Sequence, residues 1–200
     1  MDTFLTIKQP AEGYYTEKRS KFLAFAFPVT SIQNVKEIVE EYQKKYYDAR
    51  HLCYAYMIGP ERTNFRANDN GEPSGTAGKP ILGQINSKNL TDILIIVVRY
   101  FGGVKLGTGG LIVAYRLAAA DAIANATIFE KKVMAAAEFN FDYIDMNDVM
   151  KVVKDMKPDI IEQKFDNNCY MILQIRKDDY QQLIDKLNNV KSLKFIEETN

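Results

Sequence analysis

Hydrophobic and polar positions follow two periods along the chain, and each period predicts a different element. Apolar residues on every second position predict strands, as in residues 51–58. Between residues 35 and 46 apolar residues recur at helical spacing among charged ones, and a helix cap is available at Ser31. The first two thirds of the chain are therefore predicted to hold a helix after Ser31, a second helix over 111–126, and strands over 21–29, 51–58 and 93–99.

A second series of elements follows a boundary predicted near residues 127–132. Its final helix is marked by an apolar stripe of Tyr180, Leu183, Ile184 and Leu187. The β-α-β-β-α-β order is the ferredoxin-like pattern. We therefore predict an α+β protein with two domains, residues 1–129 and 130–200. The second series is predicted as strand 133–142, helix 143–156, strand 159–165, a turn at 166–168, strand 170–176, helix 178–188 and strand 192–197.

A long segment dense in Gly and Pro, residues 68–80, interrupts the first domain. Residues of these types disfavour a regular element, so we expect a loop. A loop of this length inside a compact domain is usually functional or disordered. Periodic segments flank it on both sides, which favours a functional loop.

A second Gly-rich segment, residues 102–110, separates a near-continuous apolar strand from an Ala- and Leu-rich helix. Glycines let backbone N–H groups approach a ligand, and a helix N-terminus is electrically positive. Such a loop can bind an anion, and Arg99 and Lys105 would add positive charge. The segment matches neither a P-loop nor a GxGxxG fingerprint. The alternative is a tight turn that packs the helix against the sheet.

Composition and charge change this interpretation little. Hydrophobic residues make up 46% of the chain and charged residues 26%, which is ordinary for a globular protein. The net charge is zero, but residues 1–127 hold 15 Lys/Arg and 12 Asp/Glu, against 11 and 14 in the remainder. This weak asymmetry indicates two units with different partners. It is far smaller than the basic excess of a dedicated nucleic-acid binder.

The cysteines and the termini bear on location and cofactors. Cys53 and Cys169 lie far apart and no CxxC pair exists, so neither a disulfide scaffold nor a zinc site is indicated. The N-terminus lacks a charged segment followed by a long apolar run, and the apolar run at 93–98 is too short to cross a bilayer. We expect a cytoplasmic protein with no membrane segment, metal or other cofactor.

Few residues are candidates for catalysis. Asp69 and Glu72 could do acid–base or metal chemistry, or simply make turn bonds and contact solvent. His51 and Cys53 share a strand face, but neighbours on one face are about 7 Å apart, which favours a structural histidine beside a packed cysteine. Because no complete catalytic set is present, the sequence predicts a binding protein and no catalytic residue.

Four motifs occur in order through the first domain: Arg-Ser-Lys-Phe at 19–22, His-Leu-Cys-Tyr-Ala-Tyr at 51–56, Asp-Asn-Gly-Glu-Pro-Ser-Gly-Thr-Ala-Gly at 69–78, and Val-Val-Arg-Tyr-Phe-Gly-Gly-Val-Lys-Leu-Gly at 97–107. Together they resemble the IMPACT family, in its bacterial YigZ-like branch. The second domain resembles the small ferredoxin-like domain of bacterial members, which is itself similar to the last domain of elongation factor G.

The resemblance implies a fold and a class of function. The first domain should share the fold of a ribosomal-protein domain, of domain IV of elongation factor G and of galactokinase-type kinases. Eukaryotic relatives regulate translation, so we predict binding to RNA, the ribosome or a translation-related protein through the Gly-rich basic surface. The alternatives are an enzyme that binds a phosphorylated small molecule or nucleotide at the Gly-rich loop, and a protein-interaction regulator without nucleic acid.

The predicted binding residues combine the motifs with nearby charges. Val113 stands where the resemblance leads us to expect a basic residue, so Arg116, about one turn further on, is included as its replacement. The predicted set is Arg19, Lys21, His51, Asp69, Glu72, Thr76, Lys79, Arg99, Tyr100, Gly102, Gly103, Lys105, Gly107, Gly109, Gly110 and Arg116.

Overall fold

A computed structural model of the chain describes residues 2–166 and 168–196. The structure mixes helices and strands, consistent with the predicted α+β class. It divides into two compact units: a first unit, Thr3–Lys131, and a second unit made mainly of residues from Lys132 onward. The domain boundary predicted after residue 129 stays a proposal, because a compact unit is not by itself a domain that folds alone. No helix in the described ranges is long and apolar enough to cross a membrane.

The first unit is built on a five-stranded antiparallel sheet with the strand order β2-β3-β6-β4-β5. A separate two-stranded sheet pairs β1 with β7. The elements in chain order are β1 (Thr3–Ile7), β2 (Ala11–Glu17), β3 (Ser20–Pro28), α1 (Ile32–Lys45), β4 (His51–Ile58), β5 (Asn64–Asn68), α2 (Gly78–Ser87), β6 (Ile93–Tyr100), α3 (Gly107–Ala124) and β7 (Ile128–Lys132).

The central strand β6 is apolar throughout because helices cover both faces of the sheet. Successive side chains of a strand point to opposite faces. Ile95 and Val97 join the core beneath α2 and α3, whereas Ile96 and Val98 join the core beneath α1. The prediction of a strand buried on both faces is confirmed.

Gly13 allows α3 to lie directly on β2. A Cβ added at this position would come within 2.2 Å of the backbone nitrogen of Ala122, which is closer than any real contact. The approach is reinforced by the backbone N–H of Tyr14, which donates to Asp121 Oδ2 at 2.8 Å. This contact helps to fix α3 on the sheet and with it the position where α3 begins.

Both Gly-rich segments contain more regular structure than the sequence predicted. Strand β5 reaches Asn68 and α2 begins at Gly78, so the expectation of a loop throughout 68–80 is wrong at both ends. Pro80 lies in the first turn of α2, where backbone N–H groups have no intrahelical acceptor. Proline has no N–H, so its presence there removes no helical hydrogen bond. Helix α3 begins at Gly107 rather than 111, because packing of its Ala-rich face outweighs the roughly 1 kcal/mol helix penalty of each glycine.

The second unit has the predicted β-α-β-β-α-β order, and its sheet runs β11-β8-β10-β9 with antiparallel pairs. Its core is apolar and lies between the sheet and two helices. Residue 167 of the predicted turn and residue 197 of the predicted last strand lie outside the described residues. The elements are β8 (Met134–Asp142), a 3-10 turn (Tyr143–Asp145), α4 (Met146–Met156), β9 (Asp159–Lys164), β10 (Asn168–Arg176), α5 (Lys177–Leu187) and β11 (Lys194–Phe195).

Candidate functional site

Strand register places three polar side chains together at one end of the five-stranded sheet. His51 on β4 lies directly opposite Arg99 on β6, and Phe22 of β3 flanks Arg99 on its other side. Cys53 is two residues beyond His51 and therefore points to the same face. These side chains lie on the face covered by α2 and α3, next to the start of α3.

Asp69 organises the loop that connects β5 to α2. Its carboxylate accepts backbone hydrogen bonds from Gly75 at 2.8 Å, Ala77 at 3.0 Å and Gly78 at 2.8 Å. Burial alone would raise the pKa of Asp69, but these donors outweigh it and hold the pKa below its ordinary value. Because Gly78 is the first residue of α2, the carboxylate also serves as the cap that Ala77 cannot provide.

The loop carries Glu72 down onto the sheet, where it forms a buried ion pair. Arg99 Nη1 donates to Glu72 Oε1 at 2.6 Å, and the two side chains are 7% and 3% exposed. The Tyr115 hydroxyl of α3 donates to the same oxygen at 2.9 Å. Burial is the main reason that the pKa of Tyr115 is raised, so this hydroxyl stays protonated and remains a donor. Glu72 therefore links the loop, β6 and α3.

His51 and Cys53 do not form a nucleophile–base pair. His51 Nδ1 lies 3.0 Å from the carbonyl oxygen of Asn70, and because a carbonyl only accepts, this contact places the proton on Nδ1. The Cys53 thiol donates to the carbonyl of Asp69 at 2.8 Å. Burial is the main cause that raises the pKa of Cys53 to about 12. The preference for a structural role of Cys53 agrees with these contacts.

Glu72, Arg99 and His51 line an open cavity of about 460 Å³. Glu72 and Arg99 form its buried floor, while Arg50, Lys105 and Thr108 are exposed at its rim. The lining contains three side chains that carry a positive charge, Arg50, Arg99 and Lys105, and one carboxylate, Glu72. The lining residues are Arg50, His51, Gly71, Glu72, Pro73, Arg99, Phe101, Lys105, Leu106, Gly107, Thr108 and Leu111.

The N-terminus of α3 forms one side of the cavity. The preceding residue, Leu106, offers no side-chain cap, and the first turn contains no acidic residue. The first N–H groups of a helix have no intrahelical acceptor and carry a positive partial charge. Gly107 exposes this backbone, since a Cβ added there would have no heavy atom within 4 Å.

The structure brings only some of the predicted residues to the cavity. His51, Glu72, Arg99, Lys105 and Gly107 line it. Asp69 and Thr76 instead bond within the loop that supports it. Tyr100 points to the opposite face of the sheet, where its hydroxyl donates to Asp48. The predicted residues that do not line the cavity are Arg19, Lys21, Asp69, Thr76, Lys79, Tyr100, Gly102, Gly103, Gly109, Gly110 and Arg116.

Gly102 has a structural role beside the site. A Cβ at this position would come within 2.1 Å of the backbone carbon of Arg19, and the Gly102 N–H donates to Ser20 Oγ at 3.1 Å. Arg19 itself lies in the turn between β2 and β3 with a positive φ of 65°. Gly102, from the motif at 97–107, therefore packs against the motif at 19–22.

Several site residues were not predicted from the sequence. Arg50 and Phe101 each adjoin a predicted residue, His51 and Tyr100, so sequence proximity was the available signal. Tyr115 is fully buried in an Ala-rich helix, where a hydroxyl needs a partner. Within residues 2–166 and 168–196, no group of three or more His, Cys, Asp or Glu side chains is placed to hold a metal ion.

A family model of the Impact N-terminal domain matches residues 18–123, which include every residue of the cavity. The chain belongs to the IMPACT family. The family predicted from the four motifs is thereby confirmed.

Two bacterial members of this family and one solved structure are similar to the chain over different lengths. "IMPACT family member YvyE" of Bacillus subtilis is 36% identical over 143 residues, which cover 72% of this chain and 66% of that protein. "IMPACT family member YigZ" of Escherichia coli is 37% identical over 117 residues, 58% of this chain and 57% of that one. The matches thus span less than two thirds of these relatives. A crystal structure of a hypothetical protein shares the fold with a TM-score of 0.77 at 27% identity, covering 99% of both chains.

Proposed function

We propose that this IMPACT-family protein is a translation-associated binding protein that contacts RNA through the cavity at the start of α3. The observation that carries the proposal is an uncapped helix N-terminus beside the exposed basic side chains Arg50 and Lys105. Backbone N–H groups of a helix and Lys or Arg side chains are the usual partners of phosphate. RNA supplies such phosphates on every nucleotide.

The link to translation rests on family membership. The resemblance implies that eukaryotic members regulate translation, and the four motifs of that resemblance all lie in the unit that holds the cavity. RNA, the ribosome and a translation-related protein are therefore the partners that we propose. Both cysteines are free and buried, as expected in the reducing cytoplasm that we propose as its location.

We also propose specific folds for the two units. The antiparallel order β11-β8-β10-β9, joined as β-α-β-β-α-β, supports a ferredoxin-like second domain over 130–200. For the first domain, over 1–129, we propose the fold of elongation factor G domain IV, supported by the antiparallel sheet with helices on both faces.

The test is the binding of a labelled structured RNA, and co-sedimentation with ribosomes, at about 50 and 200 mM salt. Arg50→Ala/Lys105→Ala removes two exposed cations at the cavity, and we expect it to abolish the salt-sensitive binding. Arg99 is left intact because it neutralises Glu72. The matched control, Lys79→Ala/Arg116→Ala, removes one Lys and one Arg that lie outside the cavity. Equal loss in both variants, or no binding at either salt, would refute the proposal.

A second candidate is an enzyme that acts on a phosphorylated small molecule. It is favoured by the Glu72 carboxylate at the cavity floor, with His51 Nε2 at 3.9 Å and the Tyr115 hydroxyl at 2.9 Å. Ligand at about 100 times its dissociation constant should stabilise the protein by roughly 2.7 kcal/mol. A set of nucleotides and sugar phosphates that leaves the melting temperature unchanged would exclude it.

A protein partner is the third candidate, and the second unit provides its supporting observation. Strand β9 is at the edge of its sheet and exposes Ile160 by 40% and Ile161 by 56%. An edge strand with exposed apolar side chains can pair with another chain. A stoichiometric partner that survives nuclease treatment in a pull-down, and is lost in Ile161→Lys, would favour this candidate.

A further inference from the structure

The cavity at the start of α3 is closed at its base, and this restricts what can enter it. Its floor is the buried pair of Glu72 and Arg99, with buried Leu111 alongside. An internal phosphodiester belongs to a strand that must both enter and leave a binding site. A cavity with a buried floor accommodates the end of a chain, or a small molecule, more readily than the middle of a strand.

Arg99 provides an independent observation, a buried donor without a partner in the described part of the chain. Its Nη1 donates to Glu72, but its Nε is buried and has no hydrogen-bond partner among the described residues. Buried donors in native proteins are nearly always paired. The side chain is 7% exposed and lines the cavity, so the cavity floor carries a buried cation with one donor left unpaired by the residues that the structure describes.

The charge of the lining matches a doubly charged anion. Arg50, Arg99 and Lys105 carry three positive charges, and Glu72 cancels one of them. A terminal phosphate carries about −1.5 to −2 near neutral pH, compared with one negative charge for an internal phosphodiester. The N–H groups at the start of α3, an 18-residue helix without a side-chain cap, add donors for its additional oxygen.

Phe101 extends the site beyond the phosphate. Its side chain is 44% exposed at the cavity, and the guanidinium carbon of Arg99 lies 5.7 Å from its ring centre. Exposed aromatic rings beside basic groups are stacking surfaces for nucleobases. A phosphate bound at the start of α3 and a base stacked on Phe101 could belong to the same nucleotide, because both places line one cavity.

We infer that the cavity binds a nucleotide through a terminal phosphate, with the phosphate at the start of α3 and the base on Phe101. The inference deepens the proposed function and rests on it where the source is RNA. The same chemistry is offered by a phosphorylated RNA end and by a free mononucleotide, so the experiment includes both.

The experiment measures fluorescence anisotropy of one short oligoribonucleotide, labelled internally, in three forms: 5′-phosphate, 3′-phosphate and hydroxyl at both ends. Adenosine 5′-monophosphate is the unlabelled competitor. We expect one phosphorylated form to bind at least about tenfold more tightly than the hydroxyl form, which corresponds to about 1.4 kcal/mol. We also expect the mononucleotide to displace it. Equal affinity of all three forms would overturn the inference while leaving RNA binding in place.

The variant Thr108→Asp separates loss of binding from loss of folding. Thr108 is exposed at the cavity in the first turn of α3. An acidic residue there stabilises the helix but repels a phosphate, so we expect an unchanged or higher melting temperature with at least tenfold weaker binding. The control Thr108→Asn has the shape of the aspartate without its charge, so it should bind at least about tenfold more tightly than Thr108→Asp. Equal binding by Thr108→Asp and Thr108→Asn would also overturn the inference.

The mononucleotide arm distinguishes failure of the inference from failure of the proposed function. If adenosine 5′-monophosphate raises the melting temperature, and Thr108→Asp abolishes the shift, while none of the oligoribonucleotides binds, the RNA function fails and the terminal-phosphate site stands with a free nucleotide as its ligand. If neither the oligoribonucleotides nor the mononucleotide bind, both fail.

Discussion

The interiors of the two units differ in one respect: where polar side chains are buried. Among the residues that the structure describes, every polar or charged residue that is buried as a whole lies in the first unit. The core of the second unit is made of apolar side chains such as Phe139, Met171 and Leu173. The buried polar or charged residues are Thr6, Ser20, Thr76, Thr91, Asp92 and Arg99, and the side chain of Glu72 in the same unit is only 3% exposed.

The first unit departs from simple apolar packing at its buried ion pair. A buried ion pair rarely adds net stability, because removing two charges from water costs about as much as their attraction returns. Glu72 and Arg99 nevertheless sit under the cavity, where α3 begins and Lys105 is exposed. Part of the polar interior, Arg99 with the Glu72 side chain, therefore lies at the candidate site. Another part, Thr6, Thr91 and Asp92, lies at the opposite end of β6 and bonds there with Gly59 and the backbone.

The largest expected effect comes from breaking the buried pair. Glu72→Ala leaves Arg99 as an uncompensated buried charge, and we expect a loss of about 3–5 kcal/mol in the free energy of unfolding. Urea unfolding followed by circular dichroism measures it. Glu72→Met/Arg99→Met should recover most of the loss, whereas the exposed Glu41→Ala should change stability by less than about 0.5 kcal/mol. A loss no larger than that of Glu41→Ala would remove the contrast between the units.

A purely apolar deletion in the second unit should cost about 3 kcal/mol. Leu173 is fully buried on β10, so Leu173→Ala leaves a cavity in addition to the lost burial. Ile172→Ala, on the other face of the same strand and partly exposed, is the matched control and should cost clearly less. Equal losses at the two positions, measured by the same unfolding assay, would contradict the assigned core face.

A smaller, pH-dependent effect is expected at Asp69. Asp69→Asn replaces one of the two accepting oxygens by an NH2 group, so either the bond from Gly75 or the bonds from Ala77 and Gly78 are lost, which should cost about 2 kcal/mol at pH 7. The lowered pKa of Asp69 stabilises the fold above its ordinary value near 3.8, and this contribution is lost as pH falls through the lowered pKa.

The difference between parent and Asp69→Asn should therefore shrink as pH falls below about 4, towards zero once the aspartate is protonated in both states. Unfolding at pH 7 and at pH 3 tests this. A difference that stays constant or grows on acidification would show that the hydrogen bonds to the carboxylate are not its source.

The smallest expected effect is on the reactivity of the Cys53 thiol, which should be very low in the folded protein. With burial raising its pKa to about 12, the folded protein should hold almost no thiolate at pH 8. In a Cys169→Ser background, iodoacetamide should label Cys53 only after unfolding in urea. Labelling of the folded protein at the rate of free cysteine would mean that the thiol belongs to the reactive surface of the site and not to its support.

Sequence reasoning identified His51, Glu72, Arg99 and Lys105 because each lies in a motif next to a turn or strand end. It could not separate them from Lys79 and Arg116, which carry the same charges but lie outside the cavity. It also assigned no role to Tyr115, since a tyrosine in an apolar helix is indistinguishable from core packing until its hydroxyl is seen to reach Glu72.

The sequence by itself determined the elements with strong periodicity, the two-sided burial of β6, the β-α-β-β-α-β order of the second unit and the family. These follow from local spacing, which depends on neighbours along the chain. Only the tertiary structure decided that Glu72 neutralises Arg99 and that α3 begins early enough to open its N-terminus into a cavity. Those features depend on the register between β4 and β6 and on the close approach of α3 to Gly13, contacts between residues far apart in sequence.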